Sequence, residues 1–567
     1  MEENEYISLS IKYLTETWNE LVKCLLKNPD KLVNHQMSYW HDYLNLYQNL
    51  ILPPEDNADK RFKYQEWQDN LAFDFIKRSY LLISKHLEDT IIDITKDEDI
   101  ETSKKLRFIM RQFIDASAPT NIANLNPEIL SKIAETNGEN ILLGYKNFLE
   151  NIQQGRGLFN IKLTDMTSFE IGRNIACTPG KIIFQNDLIQ LIQYQAATEK
   201  TYQYPLLIIP PWINKYYILD LQKENSLVRW LVSQGFTVFM ISWINPSSKQ
   251  RTKQFSDYMQ EGPLAALKII EEITNEPKTN VLGYCIGGTL LAYTLAYLAQ
   301  TNDTRINAAT FLTTLLDFSE PGELAVFTDA KQITIMEKIM ASKGYFDGNI
   351  MAAIFNSLRA NDLVWSSFVK QYLKGENPQA FDLLYWNSDA TNIPEYVHSF
   401  YLRNMYLENN LVQPGKLKLD EIPIDLGKIT IPTYFIATQD DHIVPWASSF
   451  KSQQYFNGPK KFVLATSGHV AGIVNPPSRN KYGYWYSNKK VKDPEKYLAN
   501  AKFQEGSWWN DWKIWVKKYS GKRQSVNTLN LKNRIIIEDA PGSYAKVSLA
   551  DIALEEAQET KSKDDHN

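Results

Sequence analysis

Residues 280–289 read Asn-Val-Leu-Gly-Tyr-Cys-Ile-Gly-Gly-Thr, and this stretch indicates both a fold and a reaction class. An apolar pair before Gly283 ends a predicted strand, and an apolar helical run begins at Thr289. Gly283, Cys285 and Gly287 reproduce the G-x-S-x-G nucleophile elbow, with sulfur in place of oxygen. Small residues are needed on either side of the nucleophile, because larger side chains would collide in so sharp a turn. We therefore predict a turn that presents the Cys285 thiol before a helix whose positive end favours the thiolate.

Two simpler interpretations of this stretch were weighed against the elbow. A lone cysteine is usually a small buried apolar residue, and glycine-rich turns between a strand and a helix also occur in nucleotide-binding folds. However, the chain contains neither G-x-G-x-x-G nor G-x-x-x-x-G-K-[ST]. We therefore favour the elbow, and we expect neither a cofactor nor a metal site.

Composition narrows the class of protein. The chain has 567 residues, which favours two or more folding units, and its net charge of −5 gives no support for a nucleic-acid partner. Only Cys24, Cys177 and Cys285 are cysteines, too few for a disulfide framework in so long a chain. We see no signal peptide and no run of about 18 apolar residues that would span a membrane. These observations predict a cytoplasmic protein without a transmembrane segment.

The apolar spacing changes character along the chain. Residues 1–185 show the three- and four-residue spacing of helices, which predicts a helical N-terminal domain. Its apolar faces are expected to pack on one another or on the catalytic part, and docking of a partner on the exposed remainder stays open. From 186 to 553, short apolar runs alternate with helical ones, which predicts an α/β-hydrolase-like, doubly wound, mostly parallel sheet. Residues 554–567 are charged and polar, which predicts a disordered tail.

The alternation of strands and helices stops between about 318 and 425. This insertion reads as mostly helical and aromatic, and it follows the strand after the elbow helix. We interpret it as a helical cap over the active site.

A thiol nucleophile needs a base, and the base needs an orienting carboxylate. His469 lies in a glycine-flanked loop directly after a predicted strand, and Asp440, Asp441 and His442 follow another. Cys285, an Asp and His469 then occur in the nucleophile, acid, base order of α/β hydrolases. Order alone does not choose between Asp440 and Asp441. His442 is expected to tune the acid or to hold the loop.

At these residues the chain resembles the polyhydroxyalkanoate synthases, more specifically the long, single-subunit type called class I. The resemblance covers about residues 185–547, because most of the N-terminal part matches only in length and helical character. Besides the elbow, the matching motifs are Pro210-Pro-Trp-Ile-Asn-Lys-Tyr-Tyr-Ile-Leu-Asp220, Asn225-Ser-Leu-Val-Arg229, Leu358-Arg-Ala-Asn-Asp-Leu-Val-Trp365, Tyr385-Trp-Asn-Ser-Asp389, Asp441-His-Ile-Val-Pro-Trp446, Ser467-Gly-His-Val-Ala-Gly-Ile-Val-Asn-Pro-Pro477, Gly506-Ser-Trp-Trp509 and Ala540-Pro-Gly-Ser-Tyr544.

The resemblance implies a function and assigns roles to residues. It implies polymerisation of (R)-3-hydroxyacyl-CoA, of short chain such as 3-hydroxybutyryl-CoA, into polyester with release of CoA. It identifies the residue before His-Ile-Val-Pro-Trp as the acid, hence Asp441, beside Cys285 and His469. Asp441 would orient the histidine or help to activate the 3-hydroxyl, and the backbone N–H of Ile286 would contribute to the oxyanion hole. Arg359 in the cap would guide the CoA phosphates.

The same resemblance implies particular partners. These are an active homodimer, the surface of the nascent polyester granule and, as a further partner, phasins. Two other functions were weighed. The first is a cysteine-dependent hydrolase or thioesterase that releases free hydroxy acid, and the second is a non-catalytic granule-binding protein that keeps the fold.

Overall fold

The computed structural model describes residues 2–52, 59–153, 161–526 and 536–564. The chain forms two compact units. The N-terminal unit comprises residues 1–165 together with 352–380, and the catalytic unit comprises 166–351 together with 381–567. Across the residues that the structure describes, every helix is too short or too polar to cross a lipid bilayer.

The described part of the N-terminal unit is helical, as its apolar spacing predicts. Asn70, Asp99 and Asn126 each begin a helix by accepting a hydrogen bond from a backbone N–H of its first turn. The helices pack around a core that includes the fully buried Trp67 and Ile94. Their bounds are α1 (Glu2–Lys27), α2 (Pro29–Gln48), α3 (Glu66–Asp69), α4 (Leu71–Ile94), α5 (Ile100–Ala116), α6 (Pro127–Glu135) and α7 (Glu139–Gln153).

The catalytic unit is built on one large sheet. Within the described residues it has eleven strands in the spatial order β10-β9-β8-β7-β6-β5-β3-β4-β2-β1-β11. In chain order they are β1 (Gly180–Gln185), β2 (Ile189–Tyr194), β3 (Leu206–Ile209), β4 (Val238–Trp243), β5 (Thr279–Tyr284), β6 (Ile306–Leu312), β7 (Thr433–Thr438), β8 (Lys460–Ala465), β9 (Gly483–Tyr486), β10 (Lys502–Glu505) and β11 (Glu538–Asp539).

The central strands β3 to β8 pair in parallel. They are continuous apolar runs because helices cover both faces of the sheet, and every residue of β5 and β7 is buried. Parallel strands end at a common edge, where α/β folds place their ligand chemistry. Cys285 follows β5, Asp441 follows β7 and His469 follows β8, so the topology brings three distant segments to this edge. The predicted α/β-hydrolase fold is confirmed.

Helices flank these strands and continue through the insertion. The long helix after α9 begins with a π-helical stretch, Gln260–Leu264, that contains Pro263. The bounds are α8 (Leu227–Ser233), α9 (Phe255–Met259), α10 (Ala265–Thr274), α11 (Ile286–Gln300), α12 (Ala330–Lys343), α13 (Gly348–Leu358), α14 (Ser366–Phe368), α15 (Asp382–Ser388), α16 (Glu395–Tyr401), α17 (Trp446–Ser452), α18 (Pro494–Asn500), α19 (Trp509–Val516) and α20 (Leu549–Asp564). Short two-stranded pairs join Lys200–Tyr202 to Arg523–Ser525, Tyr345–Phe346 to Ile393–Pro394, and Lys418–Leu419 to Ile422–Pro423.

The predicted boundary at residue 185 lies too late in the chain. β1 already belongs to the sheet and pairs antiparallel with β2. Asn186 makes the turn between them, since its side-chain oxygen accepts hydrogen bonds from the N–H groups of Leu188 and Ile189. β1 and β2 mix apolar residues with Lys and Gln. The search for continuous apolar runs, which suits parallel strands, therefore missed them.

The predicted cap at 318–425 is mostly helical, but it is not one structural unit. Residues 352–380 cluster with the N-terminal helices, whereas the rest belongs to the catalytic unit. Asn140 and Asn147, for example, donate hydrogen bonds to the carbonyls of Leu373 and Gln371. Contacts between segments more than 200 residues apart leave no periodic signal in the sequence.

The prediction of a disordered tail from 554 is wrong for the residues that the structure describes. α20 extends to Asp564, and only 565–567 lie outside the described residues. Ile552 is buried, and the acidic residues that suggested disorder are bound: Glu556 accepts a hydrogen bond from the hydroxyl of Tyr345, and Glu555 pairs with Lys249. The amino-acid composition of such a helix reflects its exposed, charged face. It does not indicate the few contacts that anchor the other face.

We expect Ile552→Asp to detach α20 from the catalytic unit, because the change buries an unpaired carboxylate. Limited proteolysis should then cleave within 549–564 roughly tenfold faster or more. The reason is that a loss of about 1.4 kcal/mol in the docking of α20 increases the population of the detached, cleavable helix tenfold. The control is Leu554→Asp, because Leu554 is 63% exposed on the same helix. Equal cleavage of both variants would show that α20 is not anchored through Ile552.

Candidate active site

Cys285 stands between β5 and α11 in a sharply turned backbone. Its φ is 53° and its ψ is −124°, a conformation that residues other than glycine rarely adopt. The N–H of Cys285 donates to the carbonyl of Leu312 at 2.9 Å, and its carbonyl accepts from Gly288 and Thr289 in the first turn of the helix. The strained residue is thus fixed on both sides, which is common where a side chain has to be presented for chemistry.

The glycines around Cys285 are required by close backbone approaches. A Cβ on Gly287 would lie 2.4 Å from the carbonyl oxygen of Ile209 and 2.6 Å from that of Pro210. A Cβ on Gly283 would lie 2.6 Å from the Cα of Gly288. Real Cβ contacts are never so short with immovable backbone atoms. The predicted elbow geometry is therefore present at Cys285.

Asp441 and His469 form a buried pair beside the elbow. The Nδ1 atom of His469 lies 2.7 Å from Oδ2 of Asp441, whose side chain is fully buried. The other carboxylate oxygen accepts from the N–H groups of Ile443 and Val444, both at 2.9 Å. Thr438 donates its hydroxyl to Oδ2 at 3.1 Å. This loop fixes the carboxylate, and the carboxylate in turn orients the imidazole.

Cys285 is close enough to His469 to influence the pKa of its imidazole, so the structure brings all three predicted residues together. Since Nδ1 faces Asp441, Nε2 is the nitrogen left for the thiol. Burial alone lowers the pKa of His469, but the charge of Asp441 and then that of Cys285 raise it to about 10. The buried carboxylate of Asp441 thus favours the imidazolium form of His469.

The structure separates the two candidate carboxylates. Asp440 is exposed and its side chain makes no recorded contact with His469, whereas Asp441 binds the ring directly. His442 is partly buried next to Asp441, and its role stays a prediction. Tyr284 was missed by sequence reasoning. Its ring stacks on His469 with centroids 5.6 Å apart, and its hydroxyl donates to the His469 carbonyl at 3.3 Å.

Sequence reasoning also missed two tyrosines from the end of the insertion. Tyr401 and Tyr406 are close enough to Cys285 for its charge to contribute to raising their pKa values, although burial is the larger cause. Phe318 packs against both rings, with centroids 5.8 Å and 5.0 Å away. The sequence showed that the insertion is rich in aromatic residues, but it could not identify which of them lie near Cys285.

The remaining predicted residues stand as follows. Ile286 is the first residue of α11, so its backbone N–H lies at the helix N-terminus beside Cys285, and its role in an oxyanion hole stays a prediction. Arg359 belongs to the N-terminal unit, where its exposed guanidinium pairs with Asp362 at 3.0 Å. His398 lies in the insertion but was not predicted as a site residue, and it is a core residue: it stacks on Phe346, and burial lowers its pKa to about 3.

Comparison with known proteins identifies the family. A family described as "Poly-beta-hydroxybutyrate polymerase (PhaC) N-terminus" matches residues 58–231, and the "alpha/beta hydrolase fold" family matches 204–476. The poly(3-hydroxyalkanoate) polymerase of Methylorubrum extorquens is 42% identical over 95% of this chain and 90% of its own length. The chain belongs to the poly(3-hydroxyalkanoate) polymerase family. It is therefore an enzyme of the acyltransferase-type polymerases.

Two further members of the polymerase family have similar coverage. The polymerase subunit PhaC of Rhizobium meliloti is 46% identical over 86% of this chain and 80% of its own length. The polymerase subunit PhaC of Cupriavidus necator is 39% identical over 91% of this chain and 89% of its own length. The similarity reaches well before residue 185, so the N-terminal unit shares more with the family than length and helical character.

The elbow glycines generate a stability prediction. We expect Gly287→Ala to destabilise the protein by about 2 kcal/mol or more, because the added methyl group meets two backbone carbonyl oxygens. Gly468→Ala is the control, since a Cβ there meets nothing closer than 3.6 Å. Thermal unfolding of both variants measures the difference, and equal melting temperatures would contradict the steric account.

The charge of Asp441 generates a prediction about pH. In Asp441→Asn, burial should dominate and the pKa of His469 should fall below its ordinary value of 6.5. Because the pKa of His469 is raised in the folded protein, protonation of its imidazole stabilises the fold. This contribution is complete below pH 6.5, the ordinary pKa of histidine, and is lost as the pH rises through about 10. The excess stability of the unmodified protein over this variant should therefore shrink between these two pH values.

Urea unfolding at a series of pH values measures this excess. Asp440→Asn is the matched control, because that carboxylate is exposed and should give no such trend. A pH-independent difference between the unmodified protein and Asp441→Asn would refute the coupling of Asp441 to His469.

Proposed function

We propose that the protein polymerises (R)-3-hydroxyacyl-CoA, of short chain such as 3-hydroxybutyryl-CoA, into polyhydroxyalkanoate and releases CoA through a covalent acyl-cysteine. The observation that carries this proposal is the strained backbone of Cys285 close to a buried imidazole that Asp441 holds at 2.7 Å. Membership of the polymerase family supplies the reaction class. The substrate chain length is inferred from the family resemblance alone.

In the proposed first step the Cys285 thiolate attacks the thioester carbonyl. A new bond forms between Sγ and the acyl carbon, the bond to the CoA sulfur breaks, and CoA leaves as a thiolate. His469 takes the proton of the thiol and returns it to CoA, so charge balances. The backbone N–H of Ile286 stabilises the oxyanion. Exchange of one thioester for another is nearly thermoneutral, which suits a cysteine better than a serine.

In the proposed second step the 3-hydroxyl of another hydroxyacyl group attacks the acyl-cysteine. An ester bond forms, the bond to Sγ breaks, and the hydroxyl proton passes to the base and then to the thiolate. Asp441 acts through His469, to which it is hydrogen-bonded at 2.7 Å. A direct role of Asp441 on the substrate hydroxyl is less favoured, because its side chain is fully buried.

Polymerisation requires that water does not release the acyl group from Cys285. The aromatic rings of Phe318, Tyr401 and Tyr406 pack on one another. The charge of Cys285 contributes to raising the pKa values of both tyrosines, so we take this cluster to supply apolar surface near the thiol. This surface favours a transferase over the alternative function, a cysteine-dependent hydrolase or thioesterase that would release free hydroxy acid.

The N-terminal unit offers a surface for the proposed granule association. On α2, apolar side chains recur at alternating spacings of three and four residues and are 52–67% exposed: Val33, Met37, Trp40, Leu44 and Tyr47. Large exposed apolar stripes mark interaction surfaces. We propose that this face of α2 binds the polyester or a phasin.

Two further proposals follow from the family resemblance. The active enzyme is a homodimer, and Arg359 contacts the phosphates of CoA.

One assay separates the two functions. The purified protein is incubated with 3-hydroxybutyryl-CoA while free CoA and turbidity are followed together. The polymerase should release CoA in step with the formation of insoluble polyester. Release of CoA with soluble 3-hydroxybutyrate as the product would instead establish the hydrolase, and no CoA release would leave a non-catalytic granule protein.

The nucleophile is tested by substitution. Cys285→Ser should lower the rate of CoA release by about 100-fold or more, because a serine hydroxyl is a much weaker nucleophile than a cysteine thiolate. The matched control is Cys177→Ser, because Cys177 is also partly exposed but lies before β1. Retention of most activity in Cys285→Ser would refute the assignment, and so would an equal loss in the control.

A further inference from the structure

Tyr284 connects two parts of the active site that lie far apart in the chain. It is the last residue of β5, directly before Cys285, and its backbone pairs with Leu312 of β6. Its side chain contacts His469, in the loop after β8. Two strands, β6 and β7, lie between β5 and β8 in the sheet. The side chain therefore reaches across the edge of the sheet and links the elbow directly to the loop that carries the base.

The ring of Tyr284 lies against the imidazole of His469. The two rings are nearly parallel, with 23° between their planes, and their centroids are 5.6 Å apart, which is an offset stack. Tyr284 is only 1% exposed and belongs to the core of the catalytic unit, where close packing leaves its ring little freedom. The imidazole thus rests on a rigid surface.

This surface restrains a motion that the hydrogen bond from Asp441 permits. Asp441 orients the imidazole through Nδ1, at 2.7 Å. A hydrogen bond tolerates a bend of about 30°, and such a tilt would move Nε2, on the far side of the ring, by about 1 Å. A displacement of about 1 Å is enough to lower a catalytic rate severely. The stacked phenol opposes the tilt, because the imidazole would have to separate from it or collide with it.

The two groups of Tyr284 contribute differently. Its hydroxyl donates to the backbone carbonyl of His469, which accepts no other hydrogen bond among the residues that the structure describes. At 3.3 Å this bond is long, so we assign it to anchoring the loop and assign the restraint of the imidazole to the ring.

The charges around the imidazole agree with this role. The titratable groups that face it are Asp441, from the loop after β7, Cys285, from the elbow, and Tyr284 itself. Burial, and after it the charges of Cys285 and Asp441, raise the pKa of Tyr284 well above its ordinary value, so the phenol adds no third negative charge. The electron-rich face of a neutral phenol also favours a cationic imidazolium.

We propose that Tyr284 is a positioning residue, whose ring keeps Nε2 of His469 aligned with the Cys285 thiol while the proton is transferred. This role rests on the proposed acyl-cysteine chemistry, in which His469 takes that proton. Because Tyr284 and Cys285 are consecutive, the support of the base and the nucleophile belong to one piece of backbone. A shift of the elbow would therefore move both together and preserve their alignment.

The test follows the alkylation of Cys285 by iodoacetamide over a range of pH, from the mass of the peptide that contains this cysteine. In Tyr284→Leu the ring is lost, so the base should assist thiolate formation less. The pH midpoint of alkylation should rise by about 0.5 to 1, which slows the reaction about three- to tenfold below the midpoint. Tyr284→Phe keeps the ring, so its midpoint should equal that of the unmodified protein.

Tyr497→Leu is the matched control for damage to the core. Tyr497 is also buried, it packs on Phe450 and Phe462, and its hydroxyl donates to the carbonyl of Phe462 in β8 at 3.0 Å. Its loss should lower the melting temperature without moving the midpoint.

Three results would overturn the proposal: an unmoved midpoint in Tyr284→Leu, an equal shift in Tyr497→Leu, or a shifted midpoint in Tyr284→Phe. The last of these decides the question even where Tyr284→Leu does not fold, because Phe changes the core least. All three are distinct from failure of the proposed function, in which the unmodified enzyme forms no acyl-Cys285 with 3-hydroxybutyryl-CoA.

Discussion

The close approach of two backbone segments at the elbow is the constraint on which the catalytic unit depends. Gly287 lies against the carbonyl oxygens at the end of β3, while Gly283 lies against the first turn of α11. Only this contact allows the chain to turn from β5 into the helix within one residue. That residue, Cys285, takes a strained conformation held by hydrogen bonds on both sides. Its thiol consequently projects at the edge of the sheet where the loops after β7 and β8 also end.

The loops after β7 and β8 complete the site through a buried carboxylate. A charge without contact with water is unstable unless it is paired, and Asp441 is compensated by two backbone N–H groups, a threonine hydroxyl and the imidazole. Because the carboxylate accepts all of these bonds, it cannot rotate, and His469 is held in a single orientation. The same charge opposes the effect of burial on His469 and raises its pKa to about 10. The buried Asp441 carboxylate is thus the cause of both the fixed orientation of His469 and the stability of its imidazolium form.

The sequence predicted the parts of this arrangement that have local causes. Continuous apolar runs located the parallel strands, and the glycine spacing located the elbow at Cys285, since both reflect sterics within a few residues. The antiparallel strands β1 and β2 were missed because Lys and Gln interrupt their apolar residues. The division of the insertion and the order in α20 depend on contacts between distant segments. Tyr401 and Tyr406 were missed for the same reason, because nothing near them in the chain distinguishes them from other aromatic residues. Tyr284 precedes Cys285 in the chain, but only the fold places its ring on the distant His469.

The insertion explains how a hydrolase-like fold can serve a polymerase. The elbow, the acid loop and the base loop are common to both, so they do not decide whether water or a hydroxyacyl group takes the acyl chain. The end of the insertion adds the packed rings of Tyr401 and Tyr406, which are close enough to Cys285 for its charge to contribute to raising their pKa values. An apolar environment lowers the local concentration of water while it accommodates an aliphatic polyester. In the proposed mechanism the geometry of the nucleophile accounts for the acyl-enzyme, and the choice of acceptor would depend on the apolar surface that the insertion adds.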